Sequence, residues 1–259
     1  MLTKRHSQIL RLLESEGMTS ITALADRLGV SQETVRRDVK PLTEMGSLVR
    51  IHGAVGLASH VGEAPFQKRM RENATAKQAI ARAAAASIRD GDSVMLDTGT
   101  TTSFLARELV HRRRLTVVTN SSDIARTLAT VNGNRVYMAG GELRSDSGAA
   151  FGKSAIDFVS RFTVTHAIIS VGAVDARGVM DFELEEAELA RVVLSRGEQR
   201  LVVTDATKFG RRGLVDVARF DAFDRLITDR APPGDIATAM QAQGTEWALA
   251  QADAGARRA

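Results

Sequence analysis

The 259-residue sequence contains no cysteine. Disulfide scaffolds, thiolate metal sites and cysteine nucleophiles are therefore excluded, and a reducing cytoplasm is the expected setting. No uninterrupted apolar run is long enough to span a membrane, and Met1-Leu2-Thr3-Lys4-Arg5-His6 leads into an amphipathic pattern instead of an apolar signal core. The chain is thus expected to be soluble and unexported. A dinucleotide-type GxGxxG and a Walker lysine are both missing, as is any internal repeat. What is present is ordinary: 44% hydrophobic and 25% charged residues, enough for one large domain or two smaller ones and incompatible with collagen-like or wholly disordered chains.

The scarcity of groups that titrate at high pH also explains the isoelectric point. With one Tyr and no Cys, a small excess of Arg lifts it to 9.8 although the formal net charge is only +4. Position says more than the total. Residues 1–71 hold 11 Lys and Arg against 7 Asp and Glu, while residues 72–259 hold 24 of each. An anion-binding head on a neutral body fits this asymmetry; a solvated surface would account for so small an excess equally well.

In the head, Ile9, Leu10, Leu12 and Leu13 mark an amphipathic helix that ends by Gly17. A second helix follows, with Ser20 as cap, a buried stripe of Ile21, Leu24, Ala25 and Leu28, and Gly29 as its terminal turn. Ser31 then caps a third, in which Val35, Val39 and Leu42 face inward. Helix, glycine turn and capped basic helix form a helix-turn-helix, whose second member enters the major groove N-terminal end first. That orientation suits Gln32, Thr34 and Arg36 near base edges and Arg37 and Lys40 near phosphates, with the cap Ser31 also counted among the DNA-binding residues. Residues 48–55 alternate and turn as a β-wing would, so Arg50 and His52 could reach a flanking phosphate. Pro41 should kink or shorten the third helix. A three-helix bundle that binds protein is the alternative.

Residues 58–72 read as a connection, with Gly62 and Pro65 and little periodicity. Beyond an Ala-rich helix near Thr75–Ile88, six short apolar strands begin at Ser93, Leu115, Arg135, Ala167, Leu201 and Arg225, most of them separated by helical stretches. This alternation implies an α/β domain over residues 73–250 with a mainly parallel sheet and a ligand site at the strands' carboxyl ends. Residues 251–259 are expected to be a disordered tail.

Those strand ends are polar. The first runs into Asp97, Thr98, Gly99, Thr100, Thr101 and Thr102, where a turn feeding a helix offers backbone N–H groups and hydroxyls to a phosphate. An ordinary strand-turn-helix with Thr caps would look the same. Asn120 and Ser121, then Gly140 and Gly141, end the next two strands; Asp205 and Lys208 end the fifth. Asn120 and Asp205 can bind hydroxyls, and Lys208 can meet a phosphate or carboxylate. Each alone reads equally as a loop residue, but four such turns at one sheet edge point to a ligand site.

The run Val30-Ser31-Gln32-Glu33-Thr34-Val35-Arg36-Arg37-Asp38-Val39, with Leu42 and Arg50-Ile51-His52-Gly53-Ala54, resembles the N-terminal signature of DeoR-family transcriptional regulators. The body resembles the same family's effector domain through Asp97-Thr98-Gly99-Thr100-Thr101, Thr119-Asn120-Ser121, Gly140-Gly141, Glu186-Ala187 and Asp205-Ala206-Thr207-Lys208-Phe209. Ala139–Ser145, Lys208–Arg211 and Pro232-Pro233 look like the glycerol-3-phosphate regulon repressor branch. Three departures stand out: Gly53-Ala54 where the family usually has Gly-Gly-Ala, Pro41 inside the third helix, and Ala190 where a basic residue is common. The resemblance implies a winged helix-turn-helix joined to a ribose-5-phosphate isomerase-like domain that binds a phosphorylated sugar or polyol, with glycerol 3-phosphate favoured. It also implies Glu186 as a ligand contact. Operator DNA is the expected macromolecular partner, and a dimer or tetramer assembled through the body is expected because helix-turn-helix proteins read paired half-sites. No cofactor, metal site or catalytic residue is expected. The competing class is an isomerase-like enzyme, since Asp97, Asp181, Glu186 and Lys208 include the carboxylates and lysine that proton abstraction next to a carbonyl would use.

Overall fold

The computed structural model describes residues 4–16, 18–45, 47–51, 53–57 and 63–250. Gly17, Gly46, His52, residues 58–62 of the expected connection with Gly62, and the expected tail at 251–259 lie outside the described residues. The chain divides into two units between Pro65 and Phe66.

The first unit holds α1 (Lys4–Glu16), β1 (Thr19–Ser20), α2 (Ile21–Leu28), α3 (Gln32–Glu44), β2 (Leu48–Ile51) and β3 (Ala54–Leu57). Its core is the set that periodicity selects: Ile9, Leu13, Leu24, Val35, Val39 and Leu42 are fully buried, joined by Leu48 and Val55 from the wing. Ser20 Oγ accepts from the Ala23 N–H at 3.1 Å, and Gly29 leaves α2 in the left-handed conformation at φ 63°. The hairpin β2–β3 is antiparallel, and β1 adds to its β3 edge, so the three-stranded order is β1-β3-β2. That extra strand is only Thr19 and Ser20, too short for any alternation to show.

The expected shortening of the third helix at Pro41 does not occur. Pro41 lies inside α3, which continues to Glu44. Proline in a helix interior costs about 3 kcal/mol. Val39 and Leu42 on either side of it are fully buried, and burial contributes roughly 1.5–3 kcal/mol per aliphatic side chain, so packing carries the helix through.

The second unit contains α4 (Phe66–Arg71), α5 (Ala74–Ala85), β4 (Ser93–Leu96), α6 (Thr100–Leu109), β5 (Thr116–Thr119), α7 (Ser122–Leu128), β6 (Arg135–Met138), α8 (Gly152–Val159) and β7 (Val164–Ser170). There follow β8 (Ala173–Asp175), β9 (Gly178–Asp181), α9 (Leu184–Ser195), β10 (Gly197–Val203), β11 (Val215–Ala218), β12 (Arg225–Thr228), α10 (Gly234–Ala242) and β13 (Glu246–Leu249). Seven strands pair in the order β13-β12-β10-β7-β4-β5-β6, every ladder parallel. Each central strand is buried on both faces: Val94 and Leu96 join the cluster beneath α5 and α6, whereas Met95 between them joins the cluster beneath α8 and α9. A period of two thus feeds two cores, which is why these strands read as continuous apolar runs.

All six expected strands occur, and three features were not expected. Phe66–Arg71, within the segment assigned to the connection, is helical; Phe66 is buried, and both carboxylate oxygens of Asp146 accept from its N–H at 2.9 and 3.1 Å. Six residues are too few to show a helical period. A seventh strand, β13, lies at the sheet edge with Trp247 and Leu249 exposed, so it has no apolar run to announce it. The antiparallel sheet β11-β9-β8 occupies the stretch after β7, its tight turn closed by the Arg177 N–H donating to Asp175 Oδ1 at 2.8 Å.

Within this sheet the chain places β5 and β6 on one side of β4 and β7, β10, β12 and β13 on the other. The order therefore reverses between β4 and β7. In open parallel sheets a crevice forms outside the strands' carboxyl ends at this point, and ligands bind there.

Candidate functional site

In the first unit, α3 turns Val35, Val39 and Leu42 inward and leaves Gln32, Arg36, Arg37 and Lys40 exposed, with Thr34 half-buried. Ser31 is the cap: its Oγ accepts from the Thr34 N–H at 3.2 Å and pairs with Thr34 Oγ1 at 2.9 Å. Its hydroxyl is thus engaged in holding the first turn of α3. Ser31→Ala should cost about 1 kcal/mol of head stability, read as a lower denaturant midpoint, and an unchanged midpoint would show the cap to be idle. Arg50 Nη2 donates to the Arg36 carbonyl at 3.2 Å, which ties the wing to the third helix.

Sequence reasoning missed what orients α3 from beneath. Asp38 is buried on its inner side, and Arg5 of α1 grips both carboxylate oxygens, one of them at 3.1 Å. Arg5 holds the Asp38 carboxyl below the usual carboxylate range, helped by His6 and Arg37. An Asp between basic residues reads in sequence as one more surface charge.

In the second unit, Asp97 ends β4 at the strand-order reversal. It is buried, and its Oδ2 accepts from the backbone N–H of Ser170, the last residue of β7, at 2.9 Å. Its Oδ1 has no partner among the described residues. Burial pushes its pKa up to about 8; the Ser170 and Thr102 hydrogen bonds oppose that, the charge of Glu186 adds to it, and the charge of Arg69 opposes it. Burial thus favours the protonated form of Asp97, in which Oδ1 can donate. Gly99 allows β4 and β7 to approach: a Cβ there would lie 1.7 Å from Ser170 Oγ and 2.9 Å from Ser170 Cβ.

The threonines behind it start α6. Thr100, Thr101 and Thr102 are buried, and Thr102 Oγ1 donates to the carbonyls of Asp97 and Gly99 at 3.1 and 3.0 Å. Ser103 Oγ, in the same turn, is buried and has no partner among the described residues. Thr98 Oγ1 donates to Asn120 Oδ1 at 3.0 Å, while Asn120 Nδ2 donates to the Ala150 carbonyl at 2.9 Å. The amide is thus engaged at both ends, fixing the ends of β4 and β5 together. Ser121 caps α7 by accepting from the Ile124 N–H at 3.4 Å. Gly141 sits exposed at φ 142°, a conformation that favours glycine.

Glu186, in the first turn of α9, accepts from Arg144 Nη1 at 2.5 Å; Arg144 Nη2 reaches Glu185 at 2.8 Å, and the guanidinium lies 4.2 Å over the Phe151 ring. The structure thus brings Asp97, Glu186 and Arg69 into one electrostatic neighbourhood and adds Arg144 through Glu186. Asp205 opens onto a neighbouring cleft of about 540 Å³, lined also by Arg71, Asn73, Asp229 and Arg230. There its Oδ1 accepts from the Thr207 N–H at 3.0 Å and from Asn73 Nδ2 at 3.2 Å, with Lys208 half-buried beside it. Arg69, Arg144, Ser170 and Asn73 escaped the sequence reading of the site. Arg144 stands three residues beyond Gly141 and was the findable one; Arg69 was hidden in the assigned connection. Among the described residues no group of three or more His, Asp or Glu could hold a metal ion, and no helix is long and apolar enough to cross a membrane.

Comparison with known proteins matches residues 5–61 to the DeoR-like helix-turn-helix domain and residues 72–230 to the DeoR C terminal sensor domain. The HTH-type transcriptional repressor CsqR of Escherichia coli is 35% identical over 96% of each chain. The Glycerol-3-phosphate regulon repressor of the same bacterium is 32% identical over 90% of this chain and 93% of its own. Among solved structures, ribose 5 phosphate isomerase A from Neisseria gonorrhoeae aligns with TM-score 0.39 at 16% identity, covering 52% of this chain and 53% of that one. On its two matched domains and its near full-length relatives, the chain belongs to the DeoR family of helix-turn-helix transcriptional regulators.

Proposed function

We propose that the protein is a sequence-specific repressor acting in the cytoplasm, in which residues 1–57 read operator DNA and residues 73–250 sense a phosphorylated small molecule. Glycerol 3-phosphate is the first candidate, since a relative is named for the regulon of that compound. The observation that carries the reading is the exposed outer face of α3, with Gln32, Arg36, Arg37 and Lys40 on a helix whose start is capped and whose inner side is anchored. In the body, a phosphate is offered the hydroxyls and N–H groups that begin α6, the neutral Asp97 as donor, and Lys208 as a point charge. The effector controls DNA binding by its differential affinity for two arrangements of a dimer or tetramer.

The test is fluorescence anisotropy on DNA from the protein's own promoter region, titrated with salt and repeated with glycerol 3-phosphate and other sugar phosphates. Affinity should fall linearly on logarithmic axes as salt rises and should change with one of the phosphorylated compounds. Indifference to that DNA at low salt would overturn the reading. One observation favours a second reading: a buried carboxyl with a strongly raised pKa is common among catalytic acids and bases. Turnover of pentose or hexose phosphates, lost in Lys208→Ala, would establish the protein as an isomerase.

A further inference from the structure

The helix α4 is the first element after the division between the units, and it is tied to the sensor crevice in three ways. It packs against α6, whose N-terminus adjoins Asp97. Its first N–H, from Phe66, is held by Asp146 at 2.9 and 3.1 Å. Its Arg69 guanidinium lies 5.7 Å from the Phe66 ring centroid and close enough to Asp97 for its charge to bear on that carboxyl, while the Arg69 carbonyl accepts from the buried Lys77.

The anchor itself is not independent of the site. Asp146 stands two residues after Arg144, on the loop between β6 and α8, and Arg144 is committed to Glu185 and Glu186. One short loop therefore carries both a cation of the crevice and the cap of the helix that leads to the DNA-binding unit. A phosphate monoester brings a charge of roughly −1.5 to −2 at neutral pH. Bound at the start of α6, it competes with Glu186 for the cations near it. Arg69 lies on α4 itself, and Arg144 stands two residues from the Asp146 that holds the first N–H of α4.

Resting on the effector reading above, we propose that Arg69 is a contact for the effector's phosphate and that α4, capped by Asp146, is the element through which site occupancy reaches the DNA-binding unit. Arg69 is thus a binding residue and Asp146 a positioning residue that touches no ligand.

The experiment uses the full chain, with glycerol 3-phosphate, glucose 6-phosphate and inorganic phosphate as probes. Two quantities are read: probe affinity by calorimetry, and the ratio of operator dissociation constants with and without saturating probe. In the wild type that ratio should lie at about 5–150-fold, the usual span of allosteric coupling. Arg69→Gln should weaken probe binding by about tenfold, as loss of a charged hydrogen bond does. Asp146→Ala should leave probe affinity unchanged but bring the ratio close to one. Asp146→Asn, which keeps an oxygen able to accept from Phe66, should restore most of it. Hydrogen exchange on the wild type supplies a readout independent of any variant's folding: amides of residues 66–71 should change protection on adding the effective probe. A responding wild type with unaltered exchange there, or an Asp146→Ala variant with the full ratio, overturns the inference alone. A wild type whose operator binding ignores every probe overturns the effector reading and this inference with it.

Discussion

Asp97→Asn is expected to make the protein more stable, and increasingly so as pH rises. Asn is nearly isosteric, its side-chain oxygen can accept from the Ser170 N–H as Oδ2 does, and its amide occupies the position of the unpartnered Oδ1. In the folded protein the Asp97 pKa is pushed up to about 8, against an ordinary value of 3.8. Between those two values the folded state holds a proton that the unfolded chain has released. By linkage, this contribution is fully present below the lower pKa, declines as pH rises through the window, and is gone above the upper one. Asn carries no such proton, so its advantage grows across the window and levels off at alkaline pH. One pKa unit corresponds to about 1.4 kcal/mol, which makes the full difference a few kcal/mol, a sizeable share of a stability of roughly 5–15 kcal/mol. Thermal denaturation of both proteins at pH 5, 7 and 9 checks it. Parallel curves would mean that Asp97 is ionised in the folded state and that the crevice is wetter than its burial indicates.

Arg36→Ala and Arg37→Ala should both weaken operator binding, but in different ways. Both side chains are exposed on α3, and neither belongs to the buried set of Val35, Asp38, Val39 and Leu42, so the fold should survive either change. Arg36 lies nearer the N-terminus that enters the groove, and its carbonyl is fixed by Arg50. A bidentate contact to a guanine edge from such a position contributes about 1–3 kcal/mol of discrimination, so Arg36→Ala should cost that much on the operator and much less on unrelated DNA. Arg37, one position further along and facing a different direction, suits a phosphate. Its loss should weaken binding to all sequences and reduce the salt slope by about one per contact removed. Anisotropy titrations on operator and scrambled duplexes at several salt concentrations separate the two. If neither variant alters DNA affinity while both remain folded, the helix-turn-helix serves protein contacts.

The parts of this molecule that sequence reading reached are those set by neighbours in the chain. Ser20 and Ser31 each cap their helix through a hydrogen bond to the N–H three residues on, a contact that needs no tertiary structure, and the stripe Val35, Val39 and Leu42 follows from 3.6 residues per turn. Five of the six expected strands were legible because burial on both faces demands unbroken apolar runs, with β6 a partly exposed edge, and Asp97 through Thr102 because a polar turn after such a run stands out. The elements that were missed lack a local signal: α4 is six residues long, β13 is an exposed edge, and β8, β9 and β11 are short strands held by one another.

The crevice itself belongs to the tertiary structure. Asp97 meets the N–H of Ser170 across 73 residues because β7 crosses back to lie beside β4, and Glu186, Arg69 and Arg144 arrive from still other elements. A carboxyl's charge state depends on the water and charges around it, and residues distant in the chain supply that surrounding. The sequence by itself determined a helix-turn-helix and a row of polar strand ends; only the packing of β4 against β7 decided that one of those ends carries a buried carboxyl whose pKa is pushed up.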